Sequence, residues 1–131
     1  MLTIKEHIAY WIDSADEDIL SAQSNFDHGT YVWCLFIGHL ALEKALKALF
    51  VITNENKTPP KIHNLLRLAK LSELDLTNEQ SEFFSLVNKF QLETRYPEYK
   101  SMMSKIATLE FTKTNFIQIK EHYQWLKSLI K

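Results

Sequence analysis

The sequence predicts an all-α fold, an antiparallel up-and-down bundle of four to five helices, and three observations carry that expectation. Gly and Pro, the residues that punctuate loops, number only two and three in 131 residues. Apolar side chains recur at helical spacing through most of the chain, and no stretch alternates as a half-buried strand does. The gaps between the periodic segments are short, as antiparallel packing of consecutive helices needs. With 46% hydrophobic and 24% charged residues, the chain reads as a single domain over residues 1–131.

The first helix is expected to start at Thr3, whose hydroxyl can accept the amide of Glu6 while the Glu6 carboxylate reaches back, a capping box. Ile4, Ile8, Trp11, Ile12, Ala15, Ile19, Leu20 and Ala22 then keep a 3.6-residue period, and the helix should end near Gly29. From Thr30 to about Val51 apolar residues cover nearly the whole circumference, so this second helix belongs in the middle of the bundle. Gly38 inside it costs about 1 kcal/mol relative to Ala, which a close approach by a neighbouring helix would offset. Thr53 to Pro60 is polar and ends in two prolines, so a loop is expected there, followed by a short helix over about 61–71. Thr77 with Gln80 is a second capping box and opens a helix carrying Phe83, Phe84, Val87 and Phe90, with Pro97 as its stop. The last helix is expected from about Thr112, with Phe116, Ile119, Tyr123, Leu126 and Ile130 on one stripe.

Fifteen basic against sixteen acidic side chains leave a formal charge of -1, which disfavours a protein that grips polyanions over its whole surface. Any nucleic-acid contact must come from a local patch. The longest uncharged run, His28 to Leu42, falls short of the ~20 residues that span a bilayer, so no membrane association is expected. The opening stretch, with Lys5, Glu6 and His7, lacks the apolar run of a signal peptide, and the one cysteine, Cys34, has no intrachain partner; a cytoplasmic location is expected.

Several local signatures follow one another in order: Trp11, Ala15 and Asp18; Tyr31, Phe36 and His39; the run Ala41-Leu42-Glu43-Lys44-Ala45-Leu46-Lys47-Ala48-Leu49; Pro59-Pro60-Lys61-Ile62-His63-Asn64-Leu65; and Arg95-Tyr96-Pro97-Glu98. As a set they resemble the HEPN domain family, small prokaryotic helical bundles often encoded beside minimal nucleotidyltransferases. The resemblance covers almost the whole chain. It implies a homodimer that binds a nucleotide or RNA, partnered by a separate nucleotidyltransferase chain in a toxin–antitoxin-like system, with no cofactor. Many members of the family are metal-independent RNases marked by an Arg followed, after four to six residues, by a His. Here the corresponding positions hold Lys100, Ser101 and Met102 after Arg95, and Ser72, Glu73 and Leu74 after Arg67. Without that His no imidazole stands ready to take a proton from a ribose 2′-hydroxyl, and Arg alone stabilises charge without acting as a base. Enzymatic activity is therefore left open, and no catalytic residue is assigned. An RNase using a different set, such as Arg95 with His63, and a purely structural interaction module are the alternatives.

Five residues are candidates for ligand contact: Lys44, Lys47, His63, Arg95 and Tyr96. Glu43 and Lys47 stand one helical turn apart and can pair, with His39 one turn before Glu43. The charged residues of this helix either mark its solvent edge and pair with Asp16 or Asp18 of the first helix, or present Lys44 and Lys47 to a phosphate. His63 is expected at the start of the short helix, where backbone amides favour anions; it caps or packs there, or serves as a base or ligand contact. Arg95 and Tyr96 either brace a loop fixed by Pro97, or supply a guanidinium for phosphate and a ring for base stacking. No metal site is expected, since His39 and Glu43 lack a third ligand at suitable spacing. Self-association is expected from the three Trp, five Tyr and eight Phe, which exceed what one small core readily encloses.

Overall fold

The computed structural model describes residues 1–91 and 97–130, with only the backbone of Pro97, Tyr99 and Lys100. The described residues form six helices: α1 (Ile4–Asp27), α2 (Tyr31–Thr53), α3 (Leu65–Leu71), α4 (Asn78–Asn88), α5 (Pro97–Ile106) and α6 (Leu109–Ser128). No strand occurs among the described residues. None of these helices is long and apolar enough to cross a membrane.

Both capping boxes form. The Glu6 amide donates to Thr3 Oγ1 at 3.1 Å and the Thr3 amide to Glu6 Oε1 at 3.0 Å, a pattern repeated by Thr77 and Gln80 at the start of α4. α1 ends where Gly29 enters the left-handed region at φ +77°: its amide reaches the Phe26 carbonyl while the Thr30 amide reaches that of Asn25. These two bonds satisfy carbonyls that the end of a helix leaves open, and glycine takes the backbone conformation without a Cβ penalty.

α2 is the axis of the bundle, as its all-round apolar sequence requires. α1 lies against one side of it and α6 against another, with α3, α4 and α5 completing the enclosure. Cys34, Leu35, Leu42, Leu46 and Val51 of α2 are all fully buried. At Gly38 an added Cβ would stand 2.9 Å from Cδ1 of Ile119, itself fully buried on α6, so the glycine marks the close approach of these two helices. Burial pushes the Cys34 thiol up to about 12, which keeps it protonated and unreactive at neutral pH.

Four sequence expectations are corrected. The short helix starts at Leu65 rather than near Lys61, because the Asn64 side chain takes the amides of Leu66 and Arg67 and so fixes the first turn there. α4 ends at Asn88, short of Pro97; the Asn88 side chain turns back to accept the Leu65 amide at 2.8 Å. Pro97 opens α5, a helix the sequence reading did not anticipate, and a proline suits a first helical position because the amide it lacks has no intrahelical acceptor there. The last helix begins at Leu109, where Thr108 Oγ1 accepts the Phe111 amide, while Thr112 is fully buried within it. Of the tryptophans, Trp11 and Trp125 are partly buried and Trp33 is exposed at the surface of α2.

Candidate functional site

A row of polar side chains one turn apart, His39, Glu43 and Lys47, runs down the most buried helix, and all three are almost inaccessible to water. Charge in such a place needs partners. Glu43 supplies them on both oxygens. Its Oε2 accepts from Lys47 Nζ at 2.9 Å, and its Oε1 accepts from His63 Nδ1 at 2.9 Å. The Lys47 ammonium also lies over the Trp11 ring, 5.3 Å from its centroid, an arrangement that favours a cation. The pair is therefore interior and not, as one reading of the sequence had it, at the solvent edge of the helix.

His39 closes the network from below. Its Nε2 lies 2.9 Å from the His63 carbonyl oxygen, which can only accept, so Nε2 carries the proton. The other nitrogen, Nδ1, is buried without a hydrogen-bond partner, 3.9 Å from Glu43 Oε1. Burial holds the His39 imidazole below its ordinary value of 6.5, with Glu43 and the His63 carbonyl opposing the shift in part. Because the folded-state value is depressed, the stability this group contributes is present above pH 6.5 and lost as pH falls toward the folded value. Thermal denaturation as a function of pH should thus show stability declining from about pH 6.5 downward, above the range where carboxylates titrate, near 4. In His39→Gln that decline should be absent between pH 6.5 and 5; a decline unchanged by the substitution would contradict the assignment.

Lys44 faces the other way, into the seam between α1 and α2. Its Nζ lies 2.8 Å from Asp18 Oδ2 and donates to Ser14 Oγ at 2.8 Å. Burial raises the Asp18 carboxyl above its ordinary value, Lys44 opposes this, and the nearby Glu17 and Glu43 add to it. Two residues before Asp18 on α1, Asp16 accepts from Tyr123 Oη at 2.5 Å and from Lys127 at 2.9 Å. Burial acts to raise Asp16, but these two donors outweigh it and hold the carboxylate below its ordinary value. Burial likewise raises the Tyr123 phenol, with the Asp16 carboxylate adding to the effect.

His63 stands just before Asn64, the cap of α3, rather than inside a helix, and its side chain is 53% exposed. With Nδ1 committed to Glu43, its Nε2 edge is left as the accessible one. A small cleft of 210 Å³ opens beside it, lined by His63, Asn64, Asn88 and Gln91. Asn64 Oδ1 also accepts from Asn88 Nδ2 at 3.0 Å, so the two amides join the start of α3 to the end of α4. The first amides of α3 are occupied by these side chains and offer no anion cradle, which corrects the expectation of free backbone donors near His63.

Of the five candidate residues, then, Lys44 and Lys47 hold internal carboxylates in neighbouring networks and His63 joins the second of these. Arg95 and Tyr96 lie outside the described residues. Among the described residues no group of three His, Cys, Asp or Glu side chains could hold a metal ion. Sequence reasoning missed the central place of Glu43 and the pairing of Asn64 with Asn88. The signal for the first was present, an acidic residue within a helix apolar on every side; the second depends on a contact spanning 24 residues.

A helical bundle with this order of motifs defines a class, and comparison with known families agrees. The HEPN domain profile matches residues 8–128, and the chain belongs to the HEPN domain family. The protein TT1696 from Thermus thermophilus has a similar fold: its crystal structure superposes with a TM-score of 0.73 at 21% sequence identity, covering 92% of this chain and 96% of that one. Among curated proteins no sequence matches.

Proposed function

We propose that this HEPN-domain protein is the nucleotide- or RNA-binding component of a two-part system. In this reading it acts as a homodimer that takes a phosphate-bearing ligand at the cleft beside His63, alongside a nucleotidyltransferase made as a separate chain, in the manner of a toxin–antitoxin pair. One observation carries the reading: an exposed imidazole whose Nδ1 is held by a buried carboxylate, beside a cleft lined by amide side chains. Such a ring has one orientation and one free nitrogen, which suits it to meet a phosphate oxygen when protonated. Lys44 and Lys47 serve in this reading as counter-charges that keep Asp18 and Glu43 in position. Arg95 and Tyr96, which follow Gln91 by a few residues, supply the guanidinium and the stacking ring.

Self-association draws support from an open groove of 670 Å³ between α1 and α6, lined by Ile4, Ile8, Ile12 and Ile130 with charged residues at its rim. A mass equal to one chain at every concentration in sedimentation would refute the dimer.

Fluorescence anisotropy with labelled single-stranded RNA and with a labelled nucleoside triphosphate tests the binding. Affinity should fall as salt rises, because phosphate contacts exchange counterions. His63→Ala should weaken it roughly tenfold, the loss of one charge-assisted hydrogen bond worth about 1.5 kcal/mol. Arg95→Lys should weaken it although the charge is kept. No binding by the wild-type protein overturns the reading, and RNA cleavage without metal that is lost in His63→Ala replaces it with an RNase.

A further inference from the structure

We propose that His63 is a phosphoryl acceptor, a histidine that takes a phosphate from a small donor with a labile phosphorus bond and carries it on Nε2. The proposal rests on the reading of the His63 cleft as a place for phosphate. It goes further in asking that a covalent bond form there.

His63 is held on several sides. Its ring is oriented by Glu43, which is itself pinned by Lys47, and its backbone carbonyl is held by the buried His39. The next residue, Asn64, is locked as the cap of α3 and tied to Asn88. Side chain and backbone are thus restrained from three directions while the Nε2 edge remains open to solvent. A nucleophile aligned by a buried group, with that group held in turn by a third, is the arrangement that activates a side chain for covalent chemistry.

Two other histidines supply an internal comparison. His28 and His122 also commit Nδ1 to an oxygen, at 2.7 Å in each case, but the acceptors are the backbone carbonyls of Ser24 and Gln118. Their Nε2 atoms are oriented in the same sense without a charge behind them. Of these three rings, His63 alone has a carboxylate hydrogen-bonded on its far side. The difference bears directly on reactivity, because attack by Nε2 places positive charge on the imidazole and a buried carboxylate at Nδ1 stabilises that charge as it develops.

The step balances without any further group. The Nε2 lone pair forms a bond to phosphorus, the bond from phosphorus to its leaving group breaks, and the leaving group departs with the bonding pair. With phosphoramidate as donor, ammonia is the leaving group. The Nδ1 proton stays between His63 and Glu43, so the ring bears a positive charge facing the carboxylate and the phosphoryl group faces the cleft. The amide side chains of Asn88 and Gln91, which line that cleft, provide the hydrogen-bonding surface around it.

The test uses the wild-type protein and potassium phosphoramidate, with a time course by intact mass and by fragment mass under neutral or basic conditions that preserve a phosphorus–nitrogen bond. The expected result is a single phosphoryl addition on His63, formed about tenfold faster than on His28 or His122, the factor that a charge interaction of modest size gives. The addition should vanish in His63→Ala. In Glu43→Gln, with retained helicity by circular dichroism, it should slow to the rate of the two comparison histidines. Equal labelling of His28, His122 and His63 in the wild type, or no labelling of His63, overturns the proposal without relying on a variant that could unfold. The phosphate-binding reading is tested separately by the anisotropy measurements: binding without labelling leaves that reading standing while the acceptor role fails, and labelling without RNA or nucleotide affinity does the reverse.

Discussion

Glu43→Ala should destabilise the fold by about 3–5 kcal/mol, the cost of stranding a buried charge. Lys47 is only 7% exposed, and with its carboxylate gone the ammonium keeps the Trp11 ring but no counter-ion. His63 loses its anchor in the same stroke. The sign of the effect reverses when both partners are replaced: Glu43→Met with Lys47→Met should recover most of the loss, since an apolar pair of similar size has no charge to desolvate. Urea denaturation of the wild type, the single variant and the double variant measures all three. A loss below about 1 kcal/mol for Glu43→Ala would mean that water reaches the pair freely and that it behaves as a surface ion pair.

An effect of similar size, about 3–5 kcal/mol, is expected from Phe84→Ala on α4. The Phe84 ring is fully buried and lies 5.7 Å from the His122 ring on α6, while its neighbour Phe83 stacks on the same imidazole at 4.4 Å. Removing the ring both forfeits its burial and leaves a cavity that so short a helix fills only in part. Leu20→Ala serves as the control. Leu20 is 72% exposed on α1, and its truncation should stay within about 0.5 kcal/mol. A Phe84→Ala protein as stable as Leu20→Ala would show that α4 is not part of the cooperative core.

These two effects also mark what could be read from the sequence and what could not. Capping boxes are local, closed within four residues, and so Thr3 and Thr77 announced the starts of α1 and α4. The central place of α2 followed from its composition, and Gly38 pointed to a close approach before Ile119 was known to make it. Asn64 was harder to read as a cap, because the two prolines before it drew attention to an earlier start. α5 escaped notice because a proline can either stop a helix or open one, and the residue alone does not say which; here Pro97 opens α5. At the site, His63, Lys44 and Lys47 stood out individually, and Asp18 was one of two partners foreseen for the charged face of α2. The pairing of Glu43 with Lys47 was legible from their spacing of one helical turn, whereas the bond from His63 to Glu43 was not, since that link spans 20 residues of sequence and depends on how the loop after Pro60 returns to α2.

The loop after α2 also holds a clasp. Asn56, at φ +68°, donates from Nδ2 to the Leu2 carbonyl at 2.8 Å, and its Oδ1 lies 2.9 Å from His7 Nδ1, so one amide grips the chain on both sides of the first turn of α1. The beginning of α1 and the end of α2 are thereby stitched into one unit, although 49 and 54 residues separate the bonded positions. Helix ends ordinarily fray one at a time, each at little cost. Here the opening of either end breaks the bonds that secure the other, so the two termini nearest this loop share a single opening event, and the α1–α2 hairpin behaves at that end as a closed ring rather than as two loose tips.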